Sequence, residues 1–211
     1  MRRLVLLAVV LLVASRQVQA QSDVPRLEVG AQYTLLNLRG VSGQNSSSGF
    51  FTFSSPGLQH GIGGRIVFNP TRILSLEAEL NFFPNGKYVR PLNEGSSTQA
   101  LFGIKIGKRL EKIGIFGKVR PGLMHFSNVA DCPGEFASNC QIDTRTEVTI
   151  DLGGVLEYYP ARHAAFRVDV GDMLLRYGNF KTGSALTGGT VPIKSGVTNN
   201  FQVSVGVSYR F

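Results

Sequence analysis

The stretch FQVSVGVSYRF, Phe201 to Phe211, alternates strictly between apolar and polar residues. Phe201, Val203, Val205, Val207, Tyr209 and Phe211 fall on one side. Gln202, Ser204, Gly206, Ser208 and Arg210 fall on the other. Successive side chains of a β-strand point to opposite faces, so a period of two is the pattern of a strand with one apolar face. Five polar positions at this spacing leave no helical face intact.

The same period recurs upstream. It spans about Arg26–Leu36, Leu58–Phe68, Ile73–Phe83, Gln99–Gly107, Ile113–Phe126 and Thr146–Tyr159, and resumes near Ala164. With the last stretch these make eight strands. No helical pattern of useful length interrupts them. The connections alternate in length. Short turns at Asn69–Arg72, Lys108–Lys112 and Pro160–His163 follow the second, fourth and sixth strands. Long polar loops, about Asn37–Gly57, Pro84–Thr98, Ser127–Asp143 and Leu174–Thr198, follow the odd ones. Short turns on one side and long loops on the other are the pattern of an outer-membrane β-barrel. The expected fold is therefore all-β, an eight-stranded antiparallel up-and-down transmembrane barrel. An even strand number puts both termini at the short-turn end, expected to be periplasmic.

Alternation does not say which face meets lipid, since a soluble barrel would turn its apolar face inward. Three features favour the inverted arrangement. The polar face holds many glycines, among them Gly61, Gly63, Gly103, Gly122 and Gly153, which suit a narrow lumen. Aromatic residues Phe68, Tyr158, Tyr209, Phe211 and Phe82 lie near the ends of the apolar face, where interface girdles belong. Finally, the polar-face charges nearly cancel. Glu28, Glu77, Glu79, Glu147, Asp151, Glu157 and Asp169 stand against Arg65, Lys105, Lys118, Arg120, Arg167 and Arg210. Buried charges require partners, so near-neutrality is expected of a filled lumen.

With these residues in view, the chain resembles the OmpA-like outer-membrane β-barrel domains. The likeness covers the chain after its leader as a pattern of strands and loops. Its most specific part is Phe201–Phe211, where Phe201, Val203, Val205, Val207, Tyr209 and the terminal Phe211 look like the signal read by the barrel-assembly machinery. The resemblance implies an outer-membrane location and contact with membrane lipid and lipopolysaccharide. No added peptidoglycan-binding domain is expected, because the sequence stops at its last strand.

The N-terminus reads as a signal peptide over residues 1–20, with the barrel domain at 21–211. Arg2 and Arg3 precede an apolar run of 11 residues, Leu4–Ala14, and Val18-Gln19-Ala20 offers a small-residue cleavage site. A spanning helix needs about 20 apolar residues, so this run is too short for one. Removing it leaves 19 basic against 14 acidic residues, a net charge of +5. That excess is scattered, and no nucleic-acid motif accompanies it. Cys132 and Cys140 are expected to form a local disulfide in the oxidising compartment. No zinc ligand set surrounds them, and no metal or cofactor is expected.

One short element has catalytic character, His125-Phe126-Ser127-Asn128 at the outer end of the fifth strand. It is similar to the His-x-Ser-Asn element of the outer-membrane lipid A deacylases. A histidine can activate a serine when a carboxylate orients it. Glu147 is the nearest downstream strand carboxylate, but its parity points it into the lumen, and Asp131 falls in a loop. The plain alternative is a strand end entering a polar loop, and the chain is expected not to be an enzyme. The expected role is a scaffold that presents four external loops, whose cations Arg39, Lys87, Arg90, Lys181 and Lys194 suit lipopolysaccharide phosphates. The alternatives are an esterase using His125 and Ser127, or a narrow pore, against which a side-chain-filled lumen argues.

Overall fold

The computed structural model describes residues 25–39, 42–45, 49–52, 57–84, 95–131, 141–183 and 190–211. Among these residues twelve strands occur in chain order: β1 (Leu27–Leu38), β2 (Ser42–Asn45), β3 (Gly49–Thr52), β4 (Gly57–Phe68), β5 (Leu74–Phe83), β6 (Ser97–Arg109), β7 (Ile113–Asp131), β8 (Gln141–Ala161), β9 (Ala164–Tyr177), β10 (Phe180–Gly183), β11 (Thr190–Ile193) and β12 (Gly196–Arg210). Eight of them close a barrel in the order β1-β12-β9-β8-β7-β6-β5-β4. Every neighbouring pair is antiparallel, and the seam between first and last strands runs from Glu28↔Arg210 to Asn37↔Phe201. Closure leaves no unpaired sheet edge, the requirement for a sheet that stands in lipid.

The alternation resolves as an inverted barrel. Outward apolar side chains are exposed, with Ile115 at 61% and Phe102 at 63%, whereas Lys105 and Arg120 are both at 0%. Water would reverse this arrangement, because apolar area is driven out of water and unpaired charge is costly to bury. A hydrocarbon surround satisfies it.

The strand ends differ from the sequence-based expectation, mainly toward more strand at the long-loop end. Both ends of the segment expected as a loop at Ser127–Asp143 are ladder: β7 runs to Asp131 and β8 begins at Gln141, across a register shift between Phe126 and Val129. Likewise β9 reaches Tyr177 and β12 begins at Gly196. The first long loop contains the hairpin β2–β3, and the fourth contains β10–β11. The two hairpins meet through β2 and β11. Backbone pairing does not need apolar side chains, so ladders continue past the lipid zone through sequence whose polarity reads as loop.

Two glycines explain local geometry. A Cβ on Gly61 would lie 2.6 Å from the Phe83 ring, so that glycine makes room for an inward aromatic. A Cβ on Gly103 would run into the Val119 carbonyl and the Arg120 Cα of the adjacent strand. Gly103 sits where the β6–β7 ladder skips from Leu101↔Gly122 to Ile104↔Val119. Pro121 lies in that gap and has no N–H to give it. The glycines of the polar face thus accommodate neighbouring backbone as well as a narrow interior.

Candidate functional site

The interior is built in three tiers along the barrel axis. The tier toward the short turns is ionic. Arg120 reaches from β7 to three other strands: its Nε donates to Asp151 Oδ2 at 2.8 Å, and its guanidinium also pairs with Glu79, Glu77 and Asp169. Lys118 bridges Asp151, at 2.7 Å, and Asp169. Arg167 pairs with Glu77 and with Asp169, the latter at 2.7 Å. Lys105 pairs with Glu157 and with Glu77, the latter at 3.3 Å. Arg65, the remaining cation at this level, is held by neutral groups, donating to Gln32 and Ser208 at 2.9 Å each. The strand register brings these charges together, since inward positions of neighbouring strands stack at every second residue.

Two of the expected lumen charges stand slightly apart. Glu28 and Arg210 are register partners at the short-turn end, with Arg210 Nε 3.4 Å from Glu28 Oε1. Glu147, at the opposite end, pairs with Arg145 and does not join the central cluster. The sequence reading missed one inward cation, Arg109. It lies 3.6 Å from Glu28 and donates to Asn69 Oδ1 at 2.6 Å and Ser75 Oγ at 3.1 Å. Continuing the parity of Gly103, Lys105 and Gly107 by one step would have found it.

Above the ions lies a neutral belt. Gln32 Nε2 donates to Asn81 Oδ1 at 2.8 Å, Asn81 Nδ2 to Gln99 Oε1 at 2.8 Å, and Gln99 Nε2 to Gln202 Oε1 at 3.0 Å. Thr34 and Ser204 share a 2.9 Å hydroxyl contact. These amides fill the bore and tie four strands together, β1, β5, β6 and β12.

The third tier, at the long-loop end, is apolar. Leu36, Leu38, Phe83, Met124, Phe126, Met173, Leu175 and Tyr177 form one buried cluster inside the barrel. The expectation of a polar lumen is corrected here: its loop-side third is a hydrophobic plug. The sequence carries a signal for it. Alternation breaks down at Leu35-Leu36, Phe82-Phe83, Leu123-Met124 and Met173-Leu174-Leu175, where both faces become apolar at the same end of four strands.

The His125–Ser127 element does not form a relay. His125 faces outward and its Nδ1 lies 2.9 Å from Thr146 Oγ1. Ser127 Oγ donates to the Ser96 carbonyl at 2.8 Å and lies 3.1 Å from Ser96 Oγ. Glu147 is inward and engaged with Arg145, so the strand wall separates it from the His125 ring. Cys132 and Cys140 lie outside the described residues. The residues before and after them, Asp131 and Gln141, are register partners.

The terminal strand presents Phe201, Val205, Val207, Tyr209 and Phe211 outward and exposed, with Val203 half-buried. Tyr209 stacks on His163 at 5.7 Å between ring centroids and meets Phe211 edge-on at 4.8 Å. The Phe211 N–H donates to the Leu27 carbonyl at 2.8 Å, fastening the seam.

The fold recurs among solved structures. Neisserial surface protein A is 13% identical, with a TM-score of 0.52 over 88% of this chain and 97% of its own. Ail, the attachment invasion locus protein of Yersinia pestis, is 12% identical, with a TM-score of 0.46 over 89% and 99%. The N-terminal β-barrel domain of Pseudomonas aeruginosa OprF is 14% identical, with a TM-score of 0.43 over 87% and 97%. Comparison with curated protein sequences gives no match. At these identities the likeness concerns the fold alone. The sequence itself matches the family model described as outer membrane protein beta-barrel domain over residues 5–211. The chain belongs to that family of outer-membrane β-barrels.

Proposed function

We propose that this protein is a non-catalytic scaffold of the outer membrane, a rigid barrel that presents its long loops to the exterior for surface or lipopolysaccharide contact. The observation that carries this reading is the filled lumen: ions, amides and an apolar plug occupy successive levels. A bore closed by packed side chains opposes the pore reading. The separate partners of His125 and Ser127 oppose the esterase reading. The long-loop end offers exposed cations, among them Arg39, Arg176 and Lys194, fitting phosphate-bearing glycolipid. In this orientation the short turns and both termini face the periplasm, residues 1–20 are a cleaved export signal, and Phe201–Phe211 engages the barrel-assembly machinery.

The test is retention of lipopolysaccharide by the folded, full-length barrel in detergent. The scaffold reading expects retention that falls with Arg39→Glu and Lys194→Glu together and with dephosphorylated lipopolysaccharide. Steady single-channel conductance in planar bilayers, or equal retention by the charge-reversed variant, would contradict it.

A further inference from the structure

The short-turn end of the barrel carries a recess of about 660 Å³ that the scaffold role does not use. Five of its lining side chains are cationic, Arg72, Arg109, Lys112, Arg162 and Arg210, against Glu111 alone. At its floor, Arg109 and Arg210 share the carboxylate of Glu28, at 3.6 Å and 3.4 Å. One carboxylate cannot neutralise two guanidinium groups. Among the described residues, the buried Arg109 Nη1 has no hydrogen-bond acceptor, and the buried Arg210 Nε has only the long 3.4 Å ion pair with Glu28. Arg210 also lies over the Tyr159 ring, 4.1 Å from its centroid, which fixes the guanidinium plane. The rim cations Arg72, Lys112 and Arg162 are exposed. Among the described residues, the recess is thus a concentrated positive field that Glu28 and Glu111 offset only in part.

Its outer lip is apolar and faces the membrane. Leu110 and Pro160 line the recess, and Ile113 and Tyr158, register partners just above it, are exposed on the lipid side. An anion that docks here lies beside a surface made for an acyl chain. We propose that this recess holds the headgroup of an anionic phospholipid from the adjoining leaflet, its phosphate among Arg72, Arg109, Lys112 and Arg162 and its chains along Ile113 and Tyr158. Basic pockets at membrane level select anionic headgroups by charge, and the apolar lip favours a lipid over free phosphate. Only the identity of that leaflet, the inner one, rests on the orientation proposed above. The binding does not.

The experiment is native mass spectrometry of the full-length folded barrel in detergent, incubated with an equimolar mixture of phosphatidylglycerol and phosphatidylcholine. Phosphatidylglycerol should be retained in preference. The variant Arg72→Gln/Lys112→Gln/Arg162→Gln, whose changes are all at exposed positions, should fold and lose that retention by roughly tenfold or more. Lys108→Gln, an exposed cation of the same end that does not line the recess, should retain lipid as wild type does, and millimolar inorganic phosphate should not displace it. Equal retention of the two lipids, unchanged retention by the triple variant, or displacement by inorganic phosphate would each overturn the assignment.

Discussion

Arg120 of β7 and Asp151 of β8 face each other across the ladder as register partners, and the Arg120 Nε–H donates to Asp151 Oδ2 at 2.8 Å. Both side chains are fully buried. The same guanidinium pairs with Glu79, so a single cation holds acids from β5 and β8 across the bore. Removing it leaves Glu79 without a cation among the described residues, and Glu77, Asp151 and Asp169 each with one fewer, in a buried space. Arg120→Leu should therefore destabilise the barrel by about 3–5 kcal/mol, the usual cost of breaking a buried pair from one side. Urea-induced unfolding in detergent or lipid measures this. A variant more stable than wild type would mean that Arg120 faces lipid.

The loop-end plug makes a separate prediction. Phe126 is fully buried among Leu36, Phe83 and Met124. Phe126→Ala should cost about 3–5 kcal/mol through lost burial and the cavity left behind. It should not open a channel, because the amide belt and the ionic tier still fill the bore below. Unfolding titrations and planar-bilayer recordings of this variant check both parts. Conductance in Phe126→Ala would identify the plug as the sole barrier.

How much of this was legible beforehand follows from what each tier asks of the sequence. The ionic tier needs charges at every second position, and period-two parity finds Glu77, Lys105, Arg120 and Arg167 directly. Arg109 escaped because its flanks Lys108 and Leu110 read as a turn. The plug escaped for a different reason. A residue such as Phe83, next to outward Phe82, breaks the alternation and so looks like the end of a strand. Cross-barrel partners are hidden altogether: nothing local to Gln99 says that it meets Gln202, because register around a closed sheet decides that contact. His125 and Ser127 were placed on the outer side by parity. Their partners, Thr146 and Ser96, come from neighbouring strands and appear only in the folded barrel.

Those partners give the third prediction. With Ser127 donating to the Ser96 carbonyl and no carboxylate among the described side chains on the His125 ring, Ser127 has no oriented base to activate it. Ser127→Ala should leave both the lipid A acylation pattern and heat-modifiable gel mobility unchanged. Mass spectrometry of lipid A from cells carrying wild type, variant or empty vector checks it. An acyl chain missing only with wild type would make the protein an esterase.

The fourth concerns Cys132 and Cys140. Asp131 and Gln141 are paired in register, so the β7–β8 ladder delivers the chain side by side immediately before the first cysteine and after the second. The two thiols are expected to be bonded in the exported protein. A loop this short gives about 2–3 kcal/mol in the chain-entropy model. The β7–β8 ladder is paired up to Asp131 and Gln141 without the cysteines, so Cys132→Ser/Cys140→Ser should still fold. Intact mass after alkylation without reductant reports the bond, and two alkylated thiols would contradict it.

The central claim is that the apolar face meets lipid and the charged face fills the lumen. Ile115 and Phe116 are consecutive residues of β7, the first exposed outward at 61% and the second buried inward at 3%. The chain has no tryptophan, so one introduced at either position reports alone. The measurement is fluorescence quenching by phospholipids brominated on their acyl chains, with Ile115→Trp and Phe116→Trp each refolded into vesicles. Strong quenching of Ile115→Trp with little of Phe116→Trp is the predicted result. Quenching of Phe116→Trp but not Ile115→Trp would show that the faces are reversed, and the account would fail.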